Sequence, residues 1–436
     1  MNSSPSQQQP TATKPGWFST APMLFFVLVF AGTSLLSGDF YKIPISAVFL
    51  LSSVFSICTM RHLAFAERIK IFSRGASTEN LMLMLWIFVL AGAFAQTAKD
   101  IGAIDSAVKL TLCILPPQLV MAGLFIASCL ISLSIGTSVG TVVALVPIAA
   151  GIANVMGDST AMTVAAVVGG AFFGDNLSFI SDTTIAATKT QGCDMKDKFH
   201  ANFLIVLPAA LITLAIYLIV GKPSGYAESI TLADVAKTIP YIVVLATAVC
   251  GMNVFAVLAL GNLLVAITGI AAGTMTVDGW FVSMGTGIMS MGELIVISML
   301  AGGLLETMRE NGGINYIISR LSKHVHGKRG AEMTIAAMVS VANLCTANNT
   351  VAIISVGNLA KDMSKKFGIN PCKAASILDT FSCVVQGLIP YGAQMLMAAA
   401  LVHLNPADIV PYAYYPMIVG VTSLVGILLR YPKKYS

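Results

Sequence analysis

Sixteen residues from Gly169, GGAFFGDNLSFISDTT, place two carboxylates (Asp175, Asp182), an amide (Asn176) and four hydroxyls (Ser178, Ser181, Thr183, Thr184) inside an otherwise apolar stretch. All are hard oxygen donors, suited to holding an alkali cation or a proton. A carboxylate at the centre of a membrane span costs about 2.5–3.5 kcal/mol on insertion scales, so two of them need partners, protons or water. Asp175 and Asp182 are seven residues apart, which on a straight helix means one face but roughly 10 Å of separation along the axis. A cation of about sodium's size takes oxygens at about 2.3–2.6 Å, so both acids can hold one such ion only if the helix opens. Gly174 begins a run of residues whose side chains compete for backbone hydrogen bonds, and unwinding is expected there, turning carbonyls and hydroxyls toward the ion. The expected site is therefore one hard cation at Asp175 and Asp182, with Asn176, Ser178, Ser181, Thr183 and Thr184 around it.

The elements that position this stretch follow from composition. The chain is 56% hydrophobic and 10% charged over 436 residues, against roughly 25% charged in a soluble domain. Apolar runs of about 17–25 residues recur along it, which predicts an all-α, polytopic membrane protein in contact with lipid. Residues 1–20 are polar and lack the basic-then-apolar order of a signal peptide, so they read as a disordered cytoplasmic tail. The net charge of +5 comes from basic residues in loops between spans, where membrane orientation puts them, and argues against nucleic acid as a partner. Eight scattered cysteines include no CxxC pair, and no GxxxxGK[ST] sequence is present, so neither a metal centre nor an ATP-driven pump is expected. No cofactor is predicted beyond transported ions, and without a nucleophile–base pairing an enzyme is disfavoured.

Two stretches repeat. LWIFVLAGAFAQTAKDIGAID from Leu85 matches LIVISMLAGGLLETMRENGGIN from Leu294 at an offset of 210, and SIGTSVGTVVAL from Ser134 matches NLCTANNTVAII from Asn343 at an offset of 209, pairing Thr137 with Thr346. Arg61, Arg68, Lys70 and Arg74 mark the loop before the first copy as cytoplasmic, whereas Arg309, Arg320, Lys328 and Arg329 follow the equivalent span of the second. The copies are thus expected to be inverted, 21–220 against 239–429. Residues 331–360 have basic residues at both ends and read as a re-entrant hairpin, matched by 117–156. Broken helices are expected at 163–188 and 375–402, giving about ten spans plus two hairpins in a 5+5 arrangement with both termini cytoplasmic. Lys196 and Lys198 are counted as cytoplasmic loop residues.

At the hairpin tips, Thr137, Ser138, Thr141, Asn348, Asn349 and Thr350 are candidate substrate contacts, or caps for turning backbone, or both. The second copy's DTFSCVVQGLIPYGAQ breaks through Gly387, Pro390 and Gly392 and has no matching acidic pair, so the site is expected to be asymmetric. Asp379 is either a proton relay or a helix cap. Glu306 is either a relay or an acid reaching the cytoplasmic interface.

With GTSVGT before it, GGAFFGDNLSFISDTT resembles the signature of the NhaC-type sodium/proton antiporters, and the paired hairpins and broken helices resemble the wider ion transporter superfamily. Phe179 departs from the proline that many relatives have after the serine. The resemblance implies secondary transport, with a transport unit moving elevator-like against a scaffold in a homodimer of the bacterial inner membrane. Competition of Na⁺ and H⁺ for the intramembrane aspartates is the leading expectation. Na⁺- or H⁺-coupled transport of a small organic acid or amino acid is the alternative.

Overall fold

A backbone surrounded by lipid must satisfy its hydrogen bonds internally, and this chain does so with helices. The computed structural model describes residues 17–37, 44–221, 230–321 and 325–435, so most of the expected tail lies outside the described residues. No strand occurs among them. Among the described residues, eight helices are long and apolar enough to cross a membrane, or nine if Ala393–Val402 and Pro406–Tyr412, bent by 103°, form one span. Two of the eight, Pro117–Ile135 and Ser138–Met156, are the limbs of the first hairpin. Against ten expected spans, Phe18–Phe30, Ile45–Thr59 and Tyr414–Leu428 are apolar but shorter.

The chain divides into two compact units. The first, residues 1–78 and 299–323, contains α1 (Ala21–Ser37), α2 (Ile45–Thr59), α3 (Phe65–Ala76), the end of α14 (Gly292–Glu310) and α15 (Gly313–Leu321). Its interior is built on contacts such as Phe26 against Phe49, with ring centroids 4.2 Å apart.

The second unit, residues 79–298 and 324–436, contains α4 (Glu79–Asp100), α5 (Ala103–Ile114), α6 (Val120–Ile135), α7 (Ser138–Met156), α8 (Thr160–Leu177), α9 (Asp182–Gln191) and α10 (Met195–Val220). It continues with α11 (Leu232–Val249), α12 (Val254–Ala271), α13 (Val277–Ser290), α16 (Gly327–Thr346), α17 (Asn349–Phe367), α18 (Pro371–Gln386), α19 (Ala393–Val402), α20 (Pro406–Ile409) and α21 (Tyr414–Leu428). Its centre is made by α8 and α18, buried without a gap from Thr163 to Leu177 and from Cys372 to Val384. A helix buried all round has no solvent or lipid face to accept a polar side chain, so each polar group on these two must find a protein partner.

Local geometry recurs 211 residues apart in this unit. Gly136 (φ 75°) and Ala347 (φ 48°) both turn their hairpins through left-handed backbone, followed by extended Thr137 (φ −143°, ψ 125°) and Asn348 (φ −145°, ψ 113°). Gly157 pairs with Gly368 and Gly192 with His403 in the same left-handed conformation. Ser132 Oγ donates to Ala171 O at 2.6 Å, and Asn343 Nδ2 donates to Ser382 O at the same distance. The backbone therefore aligns Thr137 with Asn348, not with Thr346 as the letter match has it. The turn is defined by the dihedral angles at Gly136 and Ala347; Thr137 follows the first and Thr346 precedes the second, so the threonines do not mark it. Packing is reciprocal as well: α6 lies on α8 and α16 on α18, while α9 lies on α17 and α19 on α7.

Candidate functional site

Gly174 does not unwind α8. The helix runs through it to Leu177, and a Cβ at Gly174 would lie 2.1 Å from Ser132 Oγ. Glycine is required there because α6 approaches closely, with Ser128 Oγ on Val167 O (2.5 Å) and Ser132 Oγ on Ala171 O. Small residues and hydroxyls of this kind let helices meet closely in a membrane. The break comes later, at Ser178 to Ser181, whose extended backbones (ψ 138° and 137°) separate α8 from α9.

Breaking a helix orphans the carbonyls of its last turn, and here they become the site. Asp175 O accepts from Thr183 Oγ1 (3.3 Å) and Thr184 Oγ1 (3.4 Å), both brought in at the start of α9. Asn176 O accepts from Lys198 Nζ (2.9 Å) and Asn202 Nδ2 (2.8 Å) of α10. The Lys198 ammonium also donates to Thr184 Oγ1 (2.7 Å) and forms an ion pair with Asp379 Oδ2 of α18. Asn202 Nδ2 reaches that same oxygen at 3.1 Å, and Asn202 Oδ1 accepts from Ser376 and Thr380. Lys198 and Asp379 have side-chain exposures of 1% and 0%, so Lys198 is no loop residue.

The Asp175 side chain points elsewhere. Its Oδ1 accepts from the Ser138 backbone N–H at 3.1 Å and its Oδ2 from the Ser138 hydroxyl. Ser138 opens α7, so the carboxylate caps the positive end of a helix dipole. Gln394 Nε2 donates to Ser138 Oγ (2.9 Å), Gln386 Nε2 donates to Gln394 Oε1 (3.0 Å) and to Ala347 O (2.9 Å). This chain of hydrogen bonds links the two hairpin tips through the second broken helix.

The other candidate residues divide as follows. Asn176 Nδ2 bonds Phe172 O and Tyr415 Oη, both at 3.1 Å. Ser178 Oγ bonds Leu133 O at 3.0 Å, and Ser181 and Thr183 hydroxyls pair at 3.0 Å. Thr141 bonds Thr137 O, while Asn348 caps α17 through Val351 N and Asn349 Oδ1 accepts from Thr350 N. Asp182 is exposed at the first position of α9, within Coulombic range of Asp175 but outside its hydrogen bonds. The break thus brings Thr183 and Thr184 to Asp175 without bringing Asp182. Glu306 belongs to the first unit, where Arg74 Nη2 lies at 2.8 Å and Arg309 Nη1 at 3.9 Å.

Residues the motif reading missed are Lys198, Asn202, Gln386 and Gln394. One signal was available: Lys198, Ala201, Asn202, Ile205, Val206 and Ala209 form the buried stripe of α10 at helical spacing. A lysine in register with an apolar stripe is a core residue.

Charge accounting isolates one group. The buried ionisable Asp, Glu and Lys side chains among the described residues are Asp175, Lys198, Glu332, Lys373 and Asp379. Lys198 pairs with Asp379, and Glu332 has Lys373 within Coulombic range. Asp175 has N–H and O–H donors but no cation in hydrogen-bond reach.

Apolar helices long enough to cross a membrane, around a charged, hydrogen-bonded core at a helix break, define a multi-pass membrane protein. The chain belongs to the Na+/H+ antiporter family, whose sequence profile matches residues 17–222 and 228–431, and it is accordingly a transporter and not an enzyme. It is 23% identical over 368 residues to the Na(+)/H(+) antiporter NhaC of Alkalihalophilus pseudofirmus, covering 76% of this chain and 78% of that one. It is equally similar, 23% over 395 residues, to the arginine/ornithine antiporter ArcD of Halobacterium salinarum, covering 81% and 80%. The malate-2H(+)/Na(+)-lactate antiporter of Bacillus subtilis is 21% identical over 381 residues, covering 78% and 80%.

Proposed function

We propose that this protein is a secondary antiporter that exchanges Na⁺ for H⁺ at Asp175, in a bacterial inner membrane with both termini in the cytoplasm. The observation that carries the reading is that Asp175 is a buried acid, 4% exposed, without a cationic partner, while the neighbouring Asp379 is neutralised by Lys198. A buried charge that lacks a partner is costly. Either Na⁺ or H⁺ removes that cost, so the core crosses the membrane with one or the other and not empty. Family membership and the relative named a Na(+)/H(+) antiporter support the same ions. The recurrence of turns 211 residues apart, with α9 on α17 and α19 on α7, supports a repeat, which we take as inverted; the proposed cycle moves its hairpins and broken helices together, elevator-like, in a homodimer. Asn176, Ser178, Ser181, Thr183 and Thr184 then shape the break, and Ser138 holds the exchanging acid. Thr137, Thr141, Asn348, Asn349 and Thr350 hold the tips.

Exchange of a small organic acid or amino acid is the second reading, favoured by a relative named as an arginine/ornithine antiporter at the same identity as the NhaC relative. Proteoliposomes with an imposed pH gradient separate the two. Na⁺-dependent proton flux in wild type, absent in Asp175→Asn, is the expected result. Gradient-driven amino-acid or lactate uptake with no Na⁺-dependent proton flux overturns it in favour of the second reading.

A further inference from the structure

The place filled by the Lys198 ammonium has the ligands of an alkali-cation site. A carboxylate oxygen (Asp379 Oδ2), a carbonyl freed by a helix break (Asn176 O, 2.9 Å) and a hydroxyl (Thr184 Oγ1, 2.7 Å) converge on Nζ. Hard monovalent cations are bound by this mixture of oxygens, and helix breaks in transporters supply it. The set also holds more acceptors than an ammonium uses. Asp379 Oδ1 is buried and takes no hydrogen bond, while the three N–H groups of the ammonium are given to Asn176 O, Thr184 Oγ1 and Asp379 Oδ2. Lysine reaches the place on a flexible stem from α10, carrying the same single positive charge as Na⁺.

We infer that this is a second cation site, distinct from Asp175, which the chain fills with its own tethered ammonium. The inference builds on the reading of Asp175 as the exchange site. With Lys198 in place, Asp175, Asp379 and Lys198 sum to one negative charge, which one Na⁺ or one proton cancels. Without the ammonium, two carboxylates remain and the core calls for two cations. Lys198 therefore sets the number of external cations bound in each cycle.

The test is equilibrium ²²Na⁺ binding to the purified full-length chain in detergent, with choline as the control cation, for wild type, Lys198→Met, and Lys198→Met combined with Asp379→Asn. The expected Na⁺ count rises by one per chain in Lys198→Met and falls back in the double variant. Thermal unfolding adds a second readout: Na⁺, but not choline, raises the Tm of Lys198→Met more than that of wild type, because a ligand stabilises the state that binds it. An unchanged Na⁺ count in Lys198→Met overturns the inference. So does a Lys198→Met protein that stays unfolded in Na⁺ while the double variant folds, since Lys198 is then only a structural partner of Asp379. The two readings fail differently. If wild type binds no Na⁺ but Lys198→Met binds one in an Asp379-dependent way, the Asp175 reading falls and the second site stands. If both bind one, the reverse holds.

Discussion

The two broken helices start at equivalent positions, Thr160 and Pro371, but leave their first segments differently, at Leu177 and Gln386, and carry different chemistry there. Segments α9 and α19 begin and end 211 residues apart, and at this offset Asp175 corresponds to Gln386, Asp182 to Ala393, Thr183 to Gln394 and Ser138 to Asn349. In the first half a carboxylate caps the hairpin's inner helix through Ser138. In the second an amide at the same position donates to Ala347 O. The fold therefore needs a hydrogen-bonding side chain at the end of the first helical segment, and nothing in it needs that side chain to be charged. Charge at Asp175 exceeds what the architecture requires, which is the strongest reason to assign it to transport.

The most severe way to break this comparison is to make the halves alike. Asp175→Asn gives the first half the amide chemistry of the second while keeping Ser138 within reach. Na⁺-dependent proton flux in proteoliposomes should drop to the level of protein-free vesicles, with the protein still folded by size-exclusion profile. Retained flux removes Asp175 from the mechanism.

Asp379→Asn comes next and tests stability. It leaves the Lys198 ammonium buried without its anion, and loss of one partner of a buried ion pair costs about 3–5 kcal/mol. A large fall in Tm is expected in detergent. Removing both partners, as Lys198→Met with Asp379→Asn, should recover most of it, because no unpaired charge remains. A Tm no higher in the double variant than in Asp379→Asn refutes the pairing.

Gly174→Ala affects packing alone. The second half has Val385 at the equivalent position, so a side chain is admissible in that backbone; only the approach of α6 forbids it in the first. The new Cβ would lie 2.1 Å from Ser132 Oγ and 2.6 Å from the Ser132 backbone carbon, and overpacking of this kind costs about 1–3 kcal/mol. Ser132→Gly should recover part of the Tm loss, since the backbone contact persists.

How much of this was legible in the sequence follows from the same residues. The helical class and the presence of a break after Gly174 were readable because apolar runs and Asx and hydroxyl clusters are local signals. The place of the break was displaced from Gly174 to Ser178–Ser181 because a glycine that admits a neighbouring helix looks, in one dimension, like a glycine that bends its own. Lys198 was hidden by its neighbours Lys196 and Asp197, which give the segment a loop's composition. Its partner Asp379 is 181 residues away, and no local pattern links them. The amide relay through Gln386 and Gln394 was invisible for the same reason.

Gln394→Leu sharpens the link between the halves. It removes two hydrogen bonds, to Ser138 and from Gln386, but leaves the Ser138 hydroxyl donating to Asp175 and Gln386 donating to Ala347 O, and each lost bond is worth about 1 kcal/mol. A small loss of Tm is expected, with Na⁺-dependent flux reduced but present. Complete loss of flux makes Gln394 part of the ion site and not a support for it.

The smallest effect is expected at Asp182, and it is the most informative about the motif. A spacing of seven suggested that Asp175 and Asp182 hold one ion together. At the break, however, it is the Thr183 and Thr184 hydroxyls that turn to the Asp175 carbonyl, while Asp182 faces outward. The equivalent position in the second half is Ala393, so the backbone makes no demand on the side chain there. Asp182→Asn should change stability by less than about 0.5 kcal/mol, as exposed substitutions do. Because Asp182 still contributes Coulombically at Asp175, its neutralisation should weaken Na⁺ affinity modestly, and the effect should shrink as ionic strength rises. The measurement is the Na⁺ concentration for half-maximal proton flux at low and high choline chloride. A salt-insensitive loss of exchange as deep as that of Asp175→Asn restores Asp182 to the ion's own ligands. A shallow, salt-screened shift leaves Asp175 as the single exchanging acid.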